Sequence, residues 1–178
     1  MGQSSYPPTI TKGTKTFLST TTLSGSSVVI SNINQNYSSL FLVLKGLTNT
    51  VGSGFNWLKP NGLSFVGNSS AIVTGAPDYS PGQFSDAFEI SDLRLNQRRQ
   101  QFYTNANNYF EIEIKNYSSS SLFKSYIGQS SYIVFDSTVC MAELKHGTFN
   151  VLPAITSLSL VHSLGSYNTG TIDVYGVS

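Results

Sequence analysis

The sharpest chemical possibility in this chain lies in two glutamates, Glu111 and Glu113, set two residues apart in Tyr109-Phe110-Glu111-Ile112-Glu113-Ile114-Lys115. Alternate side chains of a strand share a face, so the two carboxylates would lie together, as a glycosidase needs for its acid and its base or nucleophile. The same spacing describes a solvated strand face whose charge, continued by Lys115, guards against edge pairing. That second reading is preferred. A Ser-His-acid enzyme would need a nucleophile on a strained turn, and no Gly-x-Ser-x-Gly elbow occurs in the chain. His146 and His162 read as strand-end histidines. Cys140, in Thr138-Val139-Cys140-Met141-Ala142, reads as a buried thiol with no internal disulfide partner. One cysteine, two histidines and nine carboxylates show no zinc or calcium ligand spacing. The expectation is therefore no cofactor, no metal and no catalysis.

Binding chemistry is the alternative. Arg94, Arg98 and Arg99 form the densest basic group, but Asp86, Glu89 and Asp92 lie close in sequence, which points to local or intersubunit ion pairs. A net charge of +1 supplies no field to gather phosphate, so nucleic acid is not expected as a partner. Ten tyrosines and one tryptophan could stack on sugar rings, with Trp57, Tyr79, Tyr103 and Tyr126 as candidate glycan contacts. Tyrosine suits strands and subunit interfaces equally well. The residues following Met1 have neither the basic start nor the apolar stretch of a signal peptide, and no apolar run approaches membrane-spanning length. The expected place of synthesis is a cytoplasm, with no membrane partner.

The elements that would position these residues are strands. Charged residues make up 11% of the 178, against roughly 25% in an average globular protein. Ser, Thr and Asn supply about a third of the chain, and their side chains compete for backbone hydrogen bonds in ways that favour turns and strand faces over helices. Residues 1–15, with Tyr6, Pro7 and Pro8, read as an extended arm that could pin the subunit to a neighbour. Residues 16–178 read as one β-sandwich domain. Strands are expected at Thr16–Leu23, Ser27–Ile30, Ser39–Lys45, Ala71–Thr74, Tyr109–Lys115, Ser131–Phe135, Val139–Leu144, Ile155–Val161 and Thr171–Tyr175. The total is some eight to ten strands. Ser39–Lys45 is apolar on both faces, so it is either a central strand covered from two sides or a subunit contact through Leu40, Leu42 and Leu44. Pro60-Asn61-Gly62 marks a hairpin turn. Residues 75–88 read as a long loop, and Glu89–Gln101 fits helix or strand.

Several segments, in order, resemble a recurrent pattern in small virion proteins of tailed bacteriophages, namely head decoration proteins and the heads of head or tail fibres. They are Leu23-Ser24-Gly25, Ile30-Ser31-Asn32-Ile33-Asn34-Gln35-Asn36-Tyr37, Ser39 to Leu44, Phe110 to Ser118, Ala154 to Leu160, and the closing Tyr167 to Gly176. Asn34 stands where such proteins often have Pro, and Tyr167 where Phe is common. Residues 50–105 carry no resemblance. What the resemblance implies is a jelly-roll-like antiparallel sandwich, a homotrimer, and a place on the outer surface of a virion in contact with the major capsid protein. The subunit contacts expected on this view are Tyr6, Pro7, Pro8, Leu40, Leu42, Leu44, Arg94, Arg98 and Arg99. A receptor-binding fibre domain that recognises host surface glycans is the alternative.

Overall fold

The computed structural model describes residues 13–50, 56–62, 70–75, 84–87, 93–94, 108–133, 140–149 and 153–178. Within them the chain forms twelve strands: β1 (Lys15–Thr22), β2 (Ser27–Ile30), β3 (Ser39–Asn49), β4 (Asn56–Pro60), β5 (Ser70–Gly75), β6 (Phe84–Ala87), β7 (Leu93–Arg94), β8 (Tyr109–Lys115), β9 (Lys124–Ile133), β10 (Cys140–Phe149), β11 (Leu158–His162) and β12 (Tyr167–Val177). All pair antiparallel in two sheets. The larger has the order β1-β12-β3-β8-β9-β10-β5-β6 and the smaller β2-β11-β4-β7. The all-β antiparallel sandwich expected from composition and periodicity is the architecture observed.

One core fills the space between the sheets. Leu40, Leu42 and Leu44 of β3, Phe110, Ile112 and Ile114 of β8, and Ile172 and Val174 of β12 meet Val28, Ile30, Leu58, Leu158 and Leu160 from the smaller sheet. β3 is third in its sheet, flanked by β12 and β8. Leu40, Leu42 and Leu44 are 0% exposed, so the expectation that they contact a neighbouring subunit is corrected: their side chains are used by the chain's own core. Val43, facing the other way, is also buried, between Asp173 of β12 and Glu111 of β8 in the cross-strand register.

Turn chemistry agrees with residue type where it matters most. Asn61 and Gly62 follow β4 with φ of 52° and 67°, as a tight turn of primed type requires. Asn61 Oδ1 accepts from the Thr156 amide at 2.9 Å, and its Nδ2 donates to the Ala154 carbonyl at 3.0 Å, tying this turn to the approach to β11. The hairpin's expected second arm lies outside the described residues. Gly176 is required by contact: a Cβ there would lie 2.3 Å from the Tyr37 ring.

Several boundaries differ from expectation. β1 begins at Lys15, inside the range assigned to the arm; the rest of the arm, with Tyr6, Pro7 and Pro8, lies outside the described residues. β9 runs from Lys124 straight through Gly128, where a new strand was expected only from Ser131. Its burial alternates strictly along the whole length. Gly128 occupies an inward position at which a Cβ would meet the Glu111 carbonyl at 2.6 Å, so this glycine marks close packing of strands and not a break. β6 falls inside the stretch expected to be loop, and the described part of 89–101 is the two-residue strand β7, paired with β4.

Candidate functional site

The outer face of the larger sheet, opposite the core, gathers side chains from six strands. Cross-strand register places them in rows. One row runs Phe17–Tyr175–Phe41–Glu113–Ile127–His146, and the next runs Thr20–Asp173–Val43–Glu111–Gln129–Leu144. The first begins as an aromatic ladder, with ring centroids 5.7 Å apart for Phe17 and Tyr175 and 6.3 Å apart for Tyr175 and Phe41, both edge to face. Lys15 Nζ sits 3.2 Å from the centroid of the Phe41 ring. Phe17, Ile127 and Leu144 are 57%, 58% and 55% exposed, unusual for large apolar side chains on a sheet that already has a core side. Between the two rows lies a shallow cavity of about 180 Å³, walled by Phe41, Ile127 and Leu144 and floored by Glu111, Glu113 and Gln129.

The charges of this face are largely satisfied within it. Tyr109 Oη donates to Glu111 Oε1, and Gln129 Nε2 donates to Glu111 Oε2 at 2.6 Å. The Tyr109 bond, then that from Gln129, holds the Glu111 carboxyl below its ordinary range against the opposing effect of burial. Burial first, and the bond to Glu111 second, push the Tyr109 hydroxyl up to about 12. Lys115 Nζ pairs with Glu113. Lys45 Nζ donates to Asp173 Oδ2 at 2.6 Å, and Thr20 Oγ1 donates to Asp173 Oδ1 at 2.6 Å. Asp173 is accordingly held below the usual carboxylate range, chiefly by Lys45 and then by Thr20.

This geometry bears on the acid role for Glu111. A glycosidase acid must be protonated at working pH, through a raised pKa. Glu111 is shifted the other way, and both its oxygens accept hydrogen bonds from fixed donors. Glu111 is an ionised, hydrogen-bonded part of the cavity floor, and Glu113 beside it pairs with Lys115.

The remaining sequence candidates are dispersed. Trp57 is half-buried in β4, opposite Val161 and Arg94 in the pairing. Tyr126 is an inward residue of β9 and buried, which leaves no ring face for a sugar. Tyr79, Tyr103, Arg98 and Arg99, and the side chains of Arg94 and Cys140, lie outside the described residues. His162, the last residue of β11, is a buried turn anchor: its Nδ1 accepts from the Gly165 amide at 2.8 Å and the Leu164 amide at 3.3 Å, and Nε2 faces the Asn49 amide at 2.9 Å. Lys124 is buried as well, donating to the Ser119 and Leu122 carbonyls at 2.6 and 2.9 Å and closing the turn between β8 and β9.

Sequence reasoning missed Phe17, Phe41, Ile127, Leu144 and Tyr175. A signal was present in Glu143-Leu144: on β10 the carboxylate is buried, accepting from Tyr132 Oη at 2.5 Å and Ser130 Oγ at 3.3 Å, while the leucine faces out. Reading that pair by hydrophobicity alone inverts the faces of the strand. Among the described residues no helix is long and apolar enough to cross a membrane. No protein-family model, curated protein or solved structure matches the chain.

Proposed function

We propose that this chain is a structural protein that acts by assembly, and more finely a decoration (cement) subunit on the outer capsid surface of a tailed bacteriophage. The observation that carries the assembly reading is the uncovered outer face of the larger sheet. Three large apolar side chains there are more than half exposed, and they stand among charges already paired with one another. Burying unpaired ions in an interface is costly, whereas ions that keep their partners lose less on docking. A face of this kind is suited to being covered. The assignment to a virion, the jelly-roll kinship and the trimer come from the sequence resemblance, and the low charge and Ser/Thr/Asn-rich composition of the chain accord with a coat component.

Sedimentation of the purified chain over a wide concentration range, followed by co-sedimentation with capsids lacking it, tests this reading. Saturable binding to capsids, or self-assembly in solution, is expected. A chain that stays monomeric and never sediments with capsids removes it.

A further inference from the structure

The outer face is self-complementary, and we infer that it packs against the same face of a second copy of this chain about a twofold axis, with Phe17 of each copy entering the cavity between Ile127 and Leu144 of the other. This rests on the proposal that the face is an assembly surface, and it names the partner.

Three features lead to a second copy. Knob and hole come first. Phe17 on the edge strand β1 and the cavity between β8 and β9 lie on the same face along one cross-strand row, roughly 17 Å apart at ~4.8 Å per strand. A twofold axis passing midway, close to Phe41, exchanges the two positions, which is the condition for an isologous contact. The hole is large enough: at about 180 Å³ it exceeds the ~150 Å³ of an apolar cavity that takes a benzene ring. Charge comes second. Lys15, two residues before Phe17, reaches over the Phe41 ring at the rim of the hole, whose floor carries Glu111 and Glu113. The six charged groups Lys15, Lys45, Lys115, Glu111, Glu113 and Asp173 balance to zero on the face, so two copies meet without net repulsion. Area comes third. Six strands by about seven residues present roughly 600 Å² in projection, and side-chain relief brings this toward the ~800 Å² per partner of a standard interface.

The test uses the full chain. Phe17→Asp and Leu144→Asp change exposed side chains, and far-UV circular dichroism with urea unfolding verifies that each variant keeps the wild-type fold. In sedimentation velocity the wild type is expected to form dimers or even-numbered assemblies, and each variant to dissociate at least about tenfold more readily. The decisive arm is mixing. Each homodimer of a variant has both knob contacts damaged, whereas a heterodimer of Phe17→Asp with Leu144→Asp has one intact knob in one intact hole. The mixture should therefore associate more tightly than either variant alone. A mixture no tighter than its components, or a wild-type mass unaffected by either substitution, overturns the twofold packing. If instead the wild type is monomeric and both substitutions abolish co-sedimentation with capsids, the face docks on another protein: the second copy is refuted and the assembly reading stands. Monomers that never bind capsids refute both.

Discussion

Replacing His162 should remove a stability loss that sets in below pH 6.5. His162 and Asn49 are both buried, and the imidazole makes bonds on both nitrogens. Nδ1 accepts from the amides of Gly165 and Leu164, so it carries no proton. In a neutral ring the proton must then be on Nε2, 2.9 Å from the Asn49 side-chain amide, whose oxygen is the end that can accept it once the amide is turned over. Burial lowers the histidine pKa from its ordinary 6.5, and two amide N–H groups aimed at Nδ1 oppose a second ring proton. The unfolded chain therefore binds a proton at pH values where the folded chain does not. Stability from this group is complete above pH 6.5 and falls as pH drops from there toward the folded pKa, with a limiting slope of about 1.4 kcal/mol per pH unit for one proton. Glu111 and Asp173, both shifted downward from 4.5 and 3.8, titrate below this window. Urea unfolding from pH 8 to pH 5 reads the slope. His162→Asn keeps an acceptor for the turn amides but cannot titrate, so its unfolding free energy should be flat across that range at a cost of about 1–2 kcal/mol at pH 8. His162→Ala strands two amides and opens a cavity, costing about 2–4 kcal/mol. A His162→Asn variant that retains the wild-type slope would refute this account of the histidine.

Three further outcomes follow from the packing. Gly176→Ala should destabilise by about 1–3 kcal/mol, because the added methyl would meet the Tyr37 ring, and Tyr37→Ala in the same chain should recover part of that loss in a thermal unfolding comparison. Asp173→Asn should flatten the stability loss seen as pH falls below 3.8, where the folded carboxylate is protonated and its bonds from Lys45 and Thr20 weaken; Lys45 is half exposed, so the effect is held to under about 1 kcal/mol and is checked by acid titration of the unfolding midpoint. Leu42→Ala should cost about 2–5 kcal/mol in urea unfolding because its side chain is fully buried, whereas Phe17→Ala should leave the unfolding midpoint nearly unchanged and act on self-association.

The strands most legible in the sequence are those with one wet side. β8 alternates Phe110, Ile112, Ile114 against Glu111, Glu113, Lys115, and the structure divides them between core and surface in that way. Ser27–Ile30 was bounded correctly because turn residues flank it on both sides. β9 was harder, since its inward positions include Lys124, Gly128 and Ser130, none of which registers as apolar. Their burial is tertiary: Lys124 is covered because turn carbonyls accept its protons, and Gly128 because the β8 backbone leaves no room for a side chain. Strand ends beyond the apolar stretch, as in β3 past Gly46 and β12 before Thr171, depend on pairing partners far away in sequence.

The candidate face was hidden for a related reason. A strand that is apolar on both sides announces that something covers both sides, but not whether the cover belongs to the same chain. For β3 the expectation fell on Leu40, Leu42 and Leu44, and the structure assigns these to the internal core. The outward apolar residues of β3 are Phe41 and Val43, and both pair with neighbours separated by over fifty positions in sequence. Phe17, Ile127 and Leu144 each look like an isolated exposed residue within its own strand; only the register β1-β12-β3-β8-β9-β10 aligns them into one surface. Scattered apolar residues on a surface require no explanation, but a contiguous patch does. On a chain in which only 11% of residues are charged, six of the charged groups are spent on this face, and four of them are paired within it. A purely solvent-facing surface gains little from such pairing, because exposed ion pairs add at most about 1 kcal/mol each. In a face that another protein surface covers, the same pairs keep desolvated charge from being stranded, and that is the physical reason for reading the face as one built to be buried.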